Sequence, residues 1–183
     1  MPVLAHRKLR AGQRGFTLTE LMAVVAIMGI LATLAISSFV GHAKASKTGE
    51  ATATVQAIRA AQERYRAENQ VYLARNSSGW YPTSGVGDTR TSFVMTSHSD
   101  YADLWRLLRP AVDRPVGFGY WVNSGLPGDD LPTLPTAKKF AATTVSEPWY
   151  VVQAQADADE DGTFCRVVAS SMNPDVLIED DGE

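Results

Sequence analysis

The chain has 183 residues, enough for one membrane-length anchor and one modest folded domain, and its 45% apolar content excludes a disordered tail. The formal charge of −3 is uneven: Arg7, Lys8, Arg10 and Arg14 stand near the start with no acid among them, whereas residues 157–183 carry nine acids against Arg166 alone. That acidic end argues against a broad phosphate-binding surface, so a nucleic-acid partner is not expected.

In chain order, residues 1–15 read as a basic leader. The segment Arg14-Gly15-Phe16-Thr17-Leu18-Thr19-Glu20 follows it, and then an apolar run reaches Val40. Leu21 to Val40 is 20 residues without a charge, about 30 Å of helix and so one bilayer crossing. An ordinary signal peptide has a shorter apolar core and a small-residue cut after it. Here the apolar stretch is too long, and the plausible cut precedes it. The basic leader places its own end in the cytoplasm by the positive-inside rule. Glu20 stands out, because an unpaired charge inside a membrane helix costs on the order of 2.5–3.5 kcal/mol and so calls for neutralisation or a partner.

Basic leader, small residue, Phe, lone Glu and apolar helix together closely resemble the processing site of type IV prepilins. The resemblance covers about residues 7–72. It implies a membrane peptidase that cuts between Gly15 and Phe16 and N-methylates Phe16. It also implies that Glu20 pairs with the terminal ammonium of a neighbouring subunit during assembly. Many members of this family carry a proline near Ser37 or Ser38; its absence here inclines the reading toward a minor pilin.

From Ala45 to Tyr72 the helix continues, with no proline and abundant Ala, Glu, Arg and Gln. Val55, Ile58, Gln62 and Tyr65, with Ala51 and Ala61 beside them, form one narrow stripe, and Arg59 and Glu63 are spaced to pair weakly. Residues 74–99 read as a long exposed loop. Ser99-Asp100 caps a short helix through Leu108, and Tyr101, Leu104, Trp105 and Leu108 share its core-facing side. Strands are predicted at 116–122, ending at Asn123-Ser124-Gly125, then at 149–155 and 163–170, with a short one near 176–178. Residues 125–147 form a second loop. The expected fold is α+β: a long N-terminal helix on a small antiparallel sheet, the pilin fold. The divisions are 1–15 leader, 16–40 membrane and filament-core helix, 41–73 amphipathic half, and 74–183 head.

Asp157, Asp159 and Asp161 with Gly162 have the spacing that opens a calcium loop. Position twelve is Val168 rather than a bidentate Glu, so this is not an EF-hand. Two readings stand: a calcium site, or a solvated hairpin turn whose Asp side chains bond their own backbone. No other cofactor is expected. Cys165 is the only cysteine, so no intrachain disulfide forms, and it reads as a buried small hydrophobe. His6, His42 and His98 have no nucleophile or metal-ligand spacing near them, so no enzyme is expected. The resemblance implies a structural subunit of a type IV pilus or pilus-like filament. Its partners would be other pilin subunits, the prepilin peptidase and an assembly platform in the inner membrane, with the head periplasmic and later extracellular. Two rivals are a type II secretion pseudopilin and, in a different class, a monomeric signal-anchored binding or sensor module.

Overall fold

The computed structural model describes residues 15–73, 79–87, 89–93, 100–133, 145–157, 160 and 162–179. The leader cations, His98, Ser99, Asp159 and Asp161 lie outside them. The chain divides into two units, 1–40 and 41–183. In the first, helix α1 (Leu18–Asn69) begins, and residues 18–36 are long and apolar enough to cross a membrane. None of that span is buried. Its large side chains, among them Leu21, Ile27, Leu31 and Ile36, are exposed.

In the second unit the remainder of α1 supplies the predicted stripe, with Tyr65 only half-buried at its end. Ala51, Val55, Ile58, Ala61 and Gln62 are all buried, and the first four join the inner face of a four-stranded sheet in one core. Helix α1 ends at Asn69 rather than Leu73. Gln70 turns left-handed (φ 64°) and donates its N–H to Arg66 O at 2.8 Å. The chain then folds back on the helix. The Tyr72 hydroxyl accepts from Arg66 Nη1 at 2.8 Å and donates to Glu63 Oε1 at 3.1 Å. Arg59 is drawn elsewhere, to the carbonyl of Pro174 at 2.9 Å, so the expected Arg59–Glu63 pair is replaced by two bonds to distant backbone and side chain.

Helix α2 (Asp100–Leu108) buries Trp105 and Leu108 and half-buries Leu104, as its spacing predicts. The sheet is an antiparallel meander of β1 (Gly119–Gly125), β2 (Trp149–Ala156), β3 (Cys165–Ser170) and β4 (Leu177–Glu179). Strand β1 starts later than expected and runs through the Asn-Ser-Gly read as its stop. Gly125 remains in the ladder opposite Trp149, because the indole occupies the space a side chain at 125 would need. Val116 instead exchanges backbone bonds with Thr91 at 2.9 Å each. β4 likewise begins one residue later than predicted.

The segment read as a free exposed loop is pinned to the sheet. Tyr81 and Tyr120 exchange backbone bonds at 2.9 and 2.8 Å, and Asp157 N–H donates to Gly85 O at 2.7 Å. Tyr81 and Phe93 are buried with Trp105 and Tyr120, ring centroids 5.2–5.9 Å apart. Aromatic burial of this size outweighs the loop's polar composition. The outer face of the sheet has its own smaller core of Trp149, Val151 and Val168, packed on by Trp121, Leu131 and Val145.

Candidate functional site

The first site is built at the start of α1. Residues 15–17 precede the helix, so the Gly15–Phe16 peptide is outside the α-helical hydrogen-bond ladder; Phe16 is 88% exposed, and a side-chain carbon placed on Gly15 would meet no atom of the described residues within 4 Å. A peptide bond in this state is open to a peptidase, which a bond inside a helix is not.

Four residues after Phe16, Glu20 is tied into the helix start. Its Oε2 accepts the Thr17 N–H at 2.9 Å and the Thr17 hydroxyl at 2.8 Å, while the Glu20 N–H donates to Thr17 Oγ1 at 3.2 Å. Two orphan donors of the first turn are thereby satisfied reciprocally, which is a capping box. The sequence carries its signature, Thr-x-x-Glu just before an apolar run, and a reading focused on Glu20 as a lone membrane charge passes over it. The box uses only Oε2, so Oε1 stays open to a further donor. It also involves no atom before residue 17, so a cut after Gly15 would leave it intact.

Downstream, the apolar surface itself is a functional feature. Burying a large aliphatic side chain is worth about 1.5–3 kcal/mol, and the span 18–36 leaves every one exposed. Such a surface requires lipid or other helices around it.

The second candidate is the β2–β3 turn. Asp157 is 3% exposed; its Oδ2 accepts the Gly162 N–H at 3.1 Å, closing the turn, and its Oδ1 is buried without a partner among the described residues. The first contact is what the solvated-turn reading expects. The second is an acceptor suited to a cation. Glu160 and Gly162 both take positive φ (62° and 91°), a backbone region that glycine enters without steric cost. Cys165 is fully buried, with Thr48 Oγ1 3.9 Å from its sulfur, and packs in the inner core. His42 is exposed.

Comparison with known proteins bears on the first site. Residues 10–36 match the family model described as the prokaryotic N-terminal methylation motif. A type IV major pilin protein PilA of Myxococcus xanthus is 44% identical over 73 residues, 39% of this chain and 33% of the relative. A type II secretion system core protein G of Klebsiella michiganensis is 36% identical over 63 residues, 34% of this chain and 44% of the relative. The fimbrial protein EcpC of Eikenella corrodens is 32% identical over 89 residues, 49% of this chain and 58% of the relative. The chain thus spans between a third and under three fifths of the length of these curated relatives. No solved structure matches the chain significantly.

Proposed function

We propose, taking the methylation segment at residues 10–36 as the premise, that this chain is a structural subunit of a type IV pilus or pilus-like filament. The observation that carries the reading is the join at residue 15: a non-helical, exposed Gly15–Phe16 bond leading directly into a capped and wholly exposed apolar helix. A prepilin peptidase cuts between Gly15 and Phe16 and methylates Phe16. The helix holds the subunit in the inner membrane, leader inside and head outside, until it passes into the filament. There the exposed apolar side chains are buried against those of other subunits, and the head carries any specificity. The reading assigns no chemical reaction to the chain.

Glu20 registers the incoming subunit. Its Oε2 is committed to Thr17, and Oε1 receives the ammonium of a neighbour's Phe16. Thr17→Ala and Glu20→Ala separate the two tasks. The first removes the cap hydroxyl, costing about 1 kcal/mol of helix start, yet filaments form. The second is inserted and processed but assembles poorly. Equal assembly of the two variants would refute the registering role.

A type II secretion pseudopilin is the second reading: the family resemblance implies a calcium site near the C-terminal end of major pseudopilins, and the buried Asp157 Oδ1, without a partner among the described residues, is an acceptor for calcium in the Asp157, Asp159 and Asp161 loop. Determining the N-terminus and mass of the protein recovered from membranes tests the first step common to both. Methylated Phe16 is expected as the first residue. A mature chain that retains residues 1–15 would instead make it a signal-anchored binding or sensor module.

A further inference from the structure

Within 41–183, charge is divided between two flanks. Helix α2 ends at Leu108, and its last carbonyls have no partner within the helix. Arg64, from α1, donates through Nη2 to Leu108 O at 2.6 Å and to Arg109 O at 3.2 Å, while Arg109 donates through Nε to Arg106 O at 3.2 Å. One helix end thus gathers three guanidinium groups, as its dipole favours. Arg106 meets Asp103 at 3.3 Å, and nearby Arg90 is matched by Glu50 at 2.8 Å. Arg64 and Arg109 are exposed and meet no carboxylate among the described residues. Between Arg106 and Arg109, Leu107 is 64% exposed, more than any other large apolar side chain described in 41–183.

The other flank is β4. Asp175 and Glu179 bracket it, Asp180, Asp181 and Glu183 follow in the sequence, and no Lys or Arg comes after Arg166. Asp175 is exposed, and its carboxylate meets no partner among the described residues. The sheet order puts β4 at the edge opposite β1. Helix α2 belongs to the β1 side, tied there through Phe93, whose ring lies 5.2 Å from Trp105 and 5.9 Å from Tyr120. Helix α1 runs between the two flanks. Arg59 reaches Pro174, beside β4, and Arg64, about 140° further round the helix, reaches the end of α2.

Arginines around an apolar centre on one flank and carboxylates on the other are complementary, yet within one head they stand apart. A second copy brings them together. Because the two patches differ, the contact is heterologous: each copy keeps one patch free, and the contact repeats into an open helical chain where its rotation does not close. We propose that the Arg64, Arg106 and Arg109 flank of one head docks on the Asp175 and Glu179 flank of the next copy, with Leu107 at the apolar centre. Opposite charges supply the orientation and register of such a contact more than its affinity. The contact rests on the filament reading for its setting but uses no residue of the methylation segment.

The test is disulfide trapping in membranes of cells that co-express two forms of the full chain, Leu107→Cys and Pro174→Cys. Both positions are exposed and uncharged, so every charge stays, and the native Cys165 is buried. Mild oxidation is expected to give a dimer from the mixture and not from either form alone, because a disulfide needs Cβ atoms within about 4.5 Å. Raising salt from about 0.1 M to about 1 M, which cuts the screening length from about 10 Å to about 3 Å, lowers the yield. Arg109→Glu on the Leu107→Cys form lowers it about tenfold or more, and Asp175→Arg on the Pro174→Cys form restores it. Asp175→Arg alone lowers it equally and decides the matter if Arg109→Glu fails to fold. No trapping, trapping within either single form, or a yield indifferent to the reversals overturns the proposal. So does an Arg109→Glu loss that Asp175→Arg does not reverse, which points to a different anionic partner. Trapping in a chain that retains residues 1–15 sinks the filament reading and leaves the contact standing; filaments without trapping do the reverse.

Discussion

Gln62 offers a measurable test of how the chain returns from α1 to the sheet. It has no exposed surface and lies at the C-terminal end of the buried stripe. Its Nε2 donates to Leu73 O at 2.9 Å and its Oε1 accepts the Leu73 N–H at 3.0 Å, so one side chain does for Leu73 what a strand partner would. Gln62→Leu keeps the volume but orphans both backbone groups, at about 1–3 kcal/mol each when buried. Leu73 is half-buried, so water recovers part of this, and the added apolar surface recovers more. A net loss of about 2–3 kcal/mol remains, a fall in Tm of about 5–10 °C for a domain of this size. Gln62→Glu sharpens the test. Its carboxylate still accepts from Leu73 N–H but faces Leu73 O, and burial with that carbonyl raises the introduced carboxyl's folded pKa above its unfolded value of about 4.3. A raised folded pKa means the stabilising protonated form is fully present below pH ~4.3 and is lost as pH rises through the folded value. This variant therefore approaches the parent chain near pH 4 and falls well below it at pH 7. Circular-dichroism melts of the full chain in nanodiscs at both pH values measure it. A loss under about 0.5 kcal/mol in Gln62→Leu, or a Gln62→Glu deficit independent of pH, would refute the reasoning.

Three further outcomes are expected. Gly125→Ala places a methyl into the Trp149 indole and costs about 1–3 kcal/mol of strain, read as a lower tryptophan-fluorescence melt; an unchanged melt would show that the indole moves freely. Burial pushes the Tyr150 phenol up to about 12, against opposition from Arg59, and burial raises those of Tyr72 and Tyr81 as well. Stability from these groups is fully present below the unfolded value near pH 10 and is lost as pH rises toward 12. Melts should be level up to about pH 9 and drop above 10, with a smaller drop in Tyr150→Phe; phenolate absorbance titrating entirely near pH 10 in the folded chain would contradict this. Millimolar calcium should raise the melting temperature of the parent chain and leave Asp157→Asn unaffected, whereas no rise in the parent would leave the turn as a turn alone.

The gross plan was legible because it rests on one-dimensional signals. A charge-free run of membrane length needs no tertiary partner to be recognised, and the 51–62 stripe announces the buried face of α1 by its spacing alone. Strand existence was equally plain, because β-branched and aromatic alternation is local. Strand ends were less so. Asn123-Ser124-Gly125 is turn chemistry in isolation, yet it stays in the sheet because Trp149 packs where a side chain would project.

Residues 74–99 illustrate the limit most clearly. Their Ser, Thr and Gly content describes a loop, and only the third dimension brings Tyr81 and Phe93 against Trp105 and Tyr120. At the helix start the opposite holds: the Thr17–Glu20 box was written in the sequence, since capping involves residues three apart. The membrane-length apolar run and the class of fold follow from local spacing and composition. The Gln62–Leu73 bonds, the Arg90–Glu50 pair and the bonds from Arg64 to the end of α2 arise between residues 11 to 45 positions apart, where energy depends on distances that folding alone creates.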